Sequence, residues 1–164
     1  NNNHVRLQTP SALTVDTWQH VIITYDGGTT GAASGSLSDY YGRFEIFIDS
    51  VSQTTSNSHS NYGYSNAISG QNLRLGKLVS GNTLKGEKID EVAIWNSDET
   101  TNVSSIYNSG TPFDLSELTN PPLHWWRMGD GDTYPTLQDS GSSANCDFVM
   151  YNMTSANIVS DIPT

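Results

Sequence analysis

The sequence predicts an all-β chain, an antiparallel β-sandwich carrying one short helix. Three observations lead there. Segments with strand-period patterning are dense in β-branched and aromatic residues. Polar connections rich in Ser, Thr, Asn and Gly separate them. Helical spacing shows at one place alone, between Asp98 and Asn108.

Residues 4–7 form a short first strand before the Pro10 turn. Residues 18–25 form the next, and Asp26-Gly-Gly28 stops it. Residues 27–42 have no period and exceed the usual connection length, which marks a functional loop. Residues 43–49 alternate, with Phe44, Ile46 and Ile48 on one face and Arg43, Glu45, Phe47 and Asp49 on the other. The first face is expected in the core, and Phe47 on a partly covered outer side. Residues 54–69 read as a second long polar stretch, and residues 73–78 as a strand with Gly76 inside it. Residues 89–95 are a buried strand, with Val92 and Ile94 inward. Ser97 or Asp98 then caps the helix, Val103, Ile106 and Tyr107 face inward, and Gly110 stops it. After Asn120-Pro-Pro122 come a strand at 123–128, a Gly129-Asp-Gly-Asp132 turn, and one or two weak strands within 136–158.

Four segments carry a family resemblance. Thr17-Trp-Gln-His-Val-Ile-Ile-Thr-Tyr-Asp-Gly27 is a Trp-His-Val-type strand ending in Tyr-Asp-Gly. Arg43-Phe-Glu-Ile-Phe-Ile-Asp49 and Leu73-Arg-Leu-Gly76 follow. Then comes Gly86-Glu-Lys-Ile-Asp-Glu-Val-Ala-Ile-Trp-Asn96. In this order they resemble the laminin-G-like domains of the concanavalin A-type lectin and glucanase superfamily, from about Leu13 to Gly110. His124-Trp-Trp-Arg-Met-Gly-Asp-Gly-Asp132 with Asp139-Ser-Gly141 is similar to the opening of such a domain, of a kind met in phage virion proteins. The resemblance implies a jelly-roll sandwich. Residues 1–118 are expected to be its core, without several N-terminal strands, and residues 119–164 its returning strands. The chain opens at Asn1 rather than Met, which reads as a piece of something longer.

Composition narrows the function. A chain of 164 residues suits one domain. Its net charge of −10, with Lys and Arg numbering 7, disfavours nucleic acid and anionic membrane surfaces. No apolar run approaches the length of a membrane span. Cys146 is alone, so no intrachain disulfide framework exists. Asn102-Val-Ser104 and Asn152-Met-Thr154 match the N-glycosylation acceptor pattern.

Catalysis by a retaining glycosidase needs two carboxylates roughly 5 Å apart in one cleft. Enzymes of the laminarinase branch carry them as Glu-x-Asp-x-x-Glu. Glu87-Lys-Ile-Asp90-Glu91 and Glu45-Ile-Phe-Ile-Asp49 lack that spacing, and adjacent strand residues point to opposite faces. The chain is therefore expected not to be an enzyme, with a laminarinase-like hydrolase kept as a remote alternative.

Glycan binding needs aromatic faces beside amides and carboxylates, on loops over a rigid sheet. Asp39-Tyr40-Tyr41 and the stretch holding Tyr62 and Tyr64 supply them, although loop tyrosines also serve as packing. Trp125 shares a strand face with Arg127, so its ring is a candidate for stacking or for an interface, while Trp126 goes to the core. Asp130, Asp132 and Asp139 could hold a calcium ion. The same residues also fit acidic turns that bind their own backbone. The expected function is a non-catalytic carbohydrate-binding or adhesion module of an extracellular or virion-surface protein. Its partner would be a glycan or a cell-surface receptor. The alternative is a structural virion or fibre domain that contacts neighbouring subunits, with Phe47 and Trp125 on its outer faces.

Overall fold

The computed structural model describes residues 4–26, 42–60, 73–76, 86–143, 145–160 and 163, without the side chains of residues 4–6 and 57–60. Its elements are β1 (His4–Gln8), β2 (Val21–Tyr25), β3 (Phe44–Ile48), β4 (Val51–Ser52), β5 (Ser56–Ser60), β6 (Val92–Ile94), α1 (Val103–Tyr107), β7 (His124–Trp126), β8 (Thr136–Leu137) and β9 (Phe148–Val149). Short 3-10 turns flank α1 and recur at Leu115–Glu117 and Ser155–Asn157. The strands pair antiparallel in small sheets: β1 with β5, β2 with β3 and β4, β6 with β7, and β8 with β9. Among the described residues the fold is thus mostly strand in small antiparallel sheets with one short helix, as the patterning predicts.

Two strands escape the sequence reading. The β3–β4 hairpin turns on Asp49 and Ser50, both at positive φ (49° and 63°). A two-residue loop with both central residues left-handed matches the right-handed strand twist, and Ile48 faces Val51 across it. Asp-Ser lacks the glycine that usually announces such a turn. β5, Ser-Asn-Ser-His-Ser, has no strand propensity of its own. It exists as the partner of β1, from Gln8↔Ser56 to His4↔Ser60. Conversely, residues 73–76 are not in a strand.

The helix lies where its spacing puts it. The Asp98 carboxylate accepts from the Thr100 backbone N–H at 3.0 Å, which opens the helical turn. Asn108 takes the left-handed conformation at the far end (φ 44°, ψ 43°), two residues before Gly110. Between them Val103 and Ile106 are buried. Glu99, 6% exposed, joins this start to a distant loop. It accepts from Ser97 Oγ (2.7 Å), Asn102 Nδ2 (2.7 Å) and Asn120 Nδ2. The Asn120 carbonyl accepts from the Trp95 indole N–H at 3.0 Å.

The principal core gathers Ile106, Leu115 and Trp125, with Ile22, Ala93, Trp95, Phe113 and Leu118 packed against it. This reverses the expected faces of β3. Phe47 is 8% exposed and opposes Ile22, on the face that also presents Thr24 to Thr100 Oγ1 at 2.9 Å. Phe44, Ile46 and Ile48 lie on the other face and are half-buried. Their cross-strand neighbours Val21 and Ile23 are exposed (46% and 65%). Ile22 packs against the cluster of Ile106, Leu115 and Trp125, and Phe47 is its cross-strand partner on the same face. Arg43 and Asp49, whose charges suggested a wet face, sit at strand ends, and Glu45 is the exposed mid-strand residue there. Ile94 is likewise exposed, and Val92 half-buried.

β7 is covered on both sides. Trp126 is 0% exposed, its ring centroid 4.2 Å from that of Phe148 and its indole N–H on the Cys146 carbonyl at 2.8 Å. Trp125, 3% exposed, faces the principal core. Gly141 sits so close to β7 that a Cβ there would strike the backbone of Leu123 and His124.

Candidate functional site

The site forms where the start of β6 meets the end of β7. Ala93 pairs with Trp125 and Val92 with Trp126, so the residues just before β6 lie beside those just after β7. Glu91 adopts φ 49°, a left-handed conformation uncommon outside glycine and asparagine. Its carboxylate accepts from the Trp125 indole N–H at 2.6 Å and from Arg127 Nε at 3.3 Å. Trp125 and Arg127 share a face, as strand alternation requires, and the guanidinium lies 5.1 Å from the Trp125 ring centroid. A turn with Met128 and Gly129 at positive φ (54° and 139°) brings Asp130 back onto Arg127 at 2.8 Å.

An open cavity here is lined by Asp90, Glu91, Thr111, Pro112, Arg127, Asp130 and Pro163. Three carboxylates thus meet one guanidinium, and two of them are ion-paired to it. The Asp90 carboxyl is pushed up to about 6. Burial is the largest cause, the negative charges of Glu91 and Asp130 add to it, and the Glu91 backbone N–H and Arg127 oppose it. The wall therefore holds one carboxyl poised between its neutral and charged forms beside a fixed Arg–carboxylate array. Such a wall can donate and accept hydrogen bonds to hydroxyl groups at fixed angles.

The sequence-selected residues fare unequally. Asp39, Tyr40, Tyr41, Tyr62 and Tyr64 lie outside the described residues. Trp125 does sit at the site but not as a stacking face. Its ring is buried under Arg127, and its N–H positions Glu91. Of the three carboxylates selected for calcium, Asp130 lines the cavity and pairs with Arg127. Asp132 accepts from the backbone N–H groups of Gly129 (3.0 Å) and Gln138 (2.8 Å). Asp139 is 8% exposed. It accepts from the N–H groups of Trp125 (3.0 Å) and Gly141 (2.9 Å) and meets His124 Nδ1 at 2.6 Å. Burial pushes the Asp139 carboxyl up, yet these hydrogen bonds and the charge of His124 hold it below the usual range. Asp132 and Asp139 bind turns together and do not fit a cation shell with Asp130. Among the described residues no group of three or more His, Cys, Asp or Glu side chains is placed to hold a metal ion.

Asp90, Glu91, Arg127 and Thr111 were not selected from the sequence as a binding site. The signal for Asp90 and Glu91 was present as adjacent carboxylates before a strand, but strict alternation sends them apart. The left-handed turn at Glu91 changes their direction, and no propensity announces it.

No family model matches this chain, and neither a curated protein nor a solved structure matches it.

Proposed function

We propose that the chain is a non-catalytic carbohydrate-binding or adhesion module of an extracellular or virion-surface protein, built on a laminin-G-like jelly-roll sandwich. The observation that carries this reading is the cavity where the start of β6 meets the end of β7, at which Asp90, Glu91, Arg127 and Asp130 converge beside Thr111, Pro112 and Pro163. Planar charged groups held by one another match the vicinal hydroxyls of a sugar, and the proline rings offer apolar surface to its C–H face. A hydrolase is the poorer reading. Glu91 is held by Trp125 and Arg127, and Asp130 by Arg127, so among the described residues that line the cavity Asp90 has no second carboxylate outside an ion pair to work with. A glycan array, run with and without calcium, tests the binding reading. Specific signals weakened by Asp90→Asn support it, and a blank array overturns it. Turnover of a β-glucan, lost on Glu87→Gln or Glu91→Gln, would restore the hydrolase.

A second reading has an observation of its own. Val21, Ile23 and Val51 are exposed beside half-buried Ile46 and Ile48, an apolar sheet face suited to a neighbouring subunit of a virion or fibre. Sedimentation of the chain across a concentration series tests it. A monomer throughout, for Ile23→Asp and the unsubstituted chain alike, counts against self-association.

A further inference from the structure

We propose that Asn152, and not Asn102, is the acceptor of an N-linked glycan, and that the attached sugars shield the apolar surface around it. This rests on the extracellular placement proposed above. Both residues stand in the acceptor pattern, Asn152-Met-Thr154 and Asn102-Val-Ser104. Their surroundings separate them.

Asn152 is exposed in the connection after β9, at φ 57°, between Tyr151 (81% exposed) and Met153 (46% exposed). Among the described residues its side chain makes no hydrogen bond. Val149 is 50% exposed, and Tyr134, 40% exposed, donates its hydroxyl to the Met153 carbonyl at 3.0 Å. Tyr151 and Met153 flank the exposed amide in the chain, Tyr134 bonds to the Met153 backbone and Val149 precedes the same connection, so this segment carries exposed apolar surface of a kind that favours association.

Asn102 is engaged. Its Nδ2 donates to Glu99 Oε2 at 2.7 Å, and Asn120 Nδ2 closes on the other Glu99 oxygen. Val103, inside the pattern, is 4% exposed. A sugar on Asn102 Nδ2 would leave that nitrogen one hydrogen, already committed to the buried Glu99 carboxylate, and would have to fit at this junction beside Asn120. Modification at Asn102 thus competes with a packed hydrogen-bond junction, whereas at Asn152 it costs no hydrogen bond among the described residues.

The transfer is a substitution at the sugar's anomeric carbon. The Asn152 amide nitrogen bonds to that carbon and gives up one proton to a base of the transferase. The carbon's bond to the pyrophosphate oxygen of a lipid-linked oligosaccharide breaks, and lipid pyrophosphate leaves. No electrons change hands.

The test is the full chain secreted from an insect cell line, followed by amidase release of glycans in heavy-oxygen water and peptide mapping. Heavy-oxygen aspartate at position 152 with unaltered Asn102 is expected. Asn152→Gln should abolish the gel shift, and Asn102→Gln should leave it. Removing the glycan from the folded protein should raise the fluorescence of an apolar-surface dye several-fold. Bare Asn152, or glycan on Asn102, overturns the assignment, and unchanged dye fluorescence overturns the shielding. The mapping is made on the unsubstituted chain, so it stands whether or not a variant folds. It is also independent of the glycan array, so failure here leaves the binding reading intact.

Discussion

Glu91 receives the Trp125 indole N–H at 2.6 Å while Arg127, stacked over the same indole, reaches it at 3.3 Å. One buried ring therefore orders the cavity wall without presenting a face to ligand. Trp125→Phe keeps most of the ring's volume and removes the N–H. It should cost about 1–3 kcal/mol, the penalty for leaving a partly buried carboxylate short of a donor. Urea unfolding read by the remaining tryptophans checks this, and an unmoved midpoint contradicts it.

The inverted face of β3 makes a paired prediction. Phe47→Ala should cost about 3–5 kcal/mol, the range for a buried aromatic ring. Ile23→Ala, at a side chain 65% exposed, should stay within about 0.5 kcal/mol. The reverse ranking in thermal melts would put the core on the Phe44, Ile46 and Ile48 side.

These two strands show how far the sequence carries. Alternation located β3 and its two faces, because a pleated strand fixes period two whatever covers it. Which face is covered depended on where the cluster of Ile106, Leu115 and Trp125 assembles, a long-range fact that Phe47 and Ile46 do not encode locally. The helix itself was legible, since Asp98, Ile106 and Gly110 act within a few residues of one another. β5 was not, because its strand state comes from pairing with β1. At the site, Trp125 and Arg127 were placed on one face by their spacing alone. Their partner Glu91 was missed because a single left-handed residue reverses the direction that alternation assigns.

Two carboxyls should shape stability against pH in opposite senses. Asp139 is held below its unfolded value of 3.8, so its contribution is present above 3.8 and lost as pH falls through the folded value. Asp90 is raised from 3.8 to about 6, so its contribution is full below 3.8 and gone above about 6. His20 is held low, by burial first, against the opposing charge of Asp49. It therefore adds to the loss on the acid side. Asp139→Asn should lower the urea midpoint at neutral pH and reduce its acid dependence. Asp90→Asn should raise the midpoint above pH 6 and change little below pH 3.8. Midpoints of both variants that run parallel to the unsubstituted chain across this range would refute the assignments.

Gly141 tests the close approach of the Asp139 turn to β7. A methyl group there meets the Leu123 carbonyl and the His124 backbone, neither of which can rotate away. Gly141→Ala should cost about 1–3 kcal/mol, as overpacking does. The Asp139 bonds to Trp125 and Gly141 should loosen with it. Amide hydrogen exchange at Trp125 reads that loosening. Full protection of this amide in the variant would mean that the turn stands off further.

Sugar binding in the cavity of Asp90 and Arg127, as proposed above, is open to direct measurement. The direct measurement is calorimetric titration of neutral oligosaccharides into the unsubstituted chain and into Asp90→Asn, with the melting temperature of each recorded. Saturable binding is expected, weakening roughly tenfold in the variant, about 1.4 kcal/mol. That is close to the worth of a hydrogen bond to a charged group. The variant should melt no lower at neutral pH. Equal affinity in both proteins, or no binding heat in either, would contradict it.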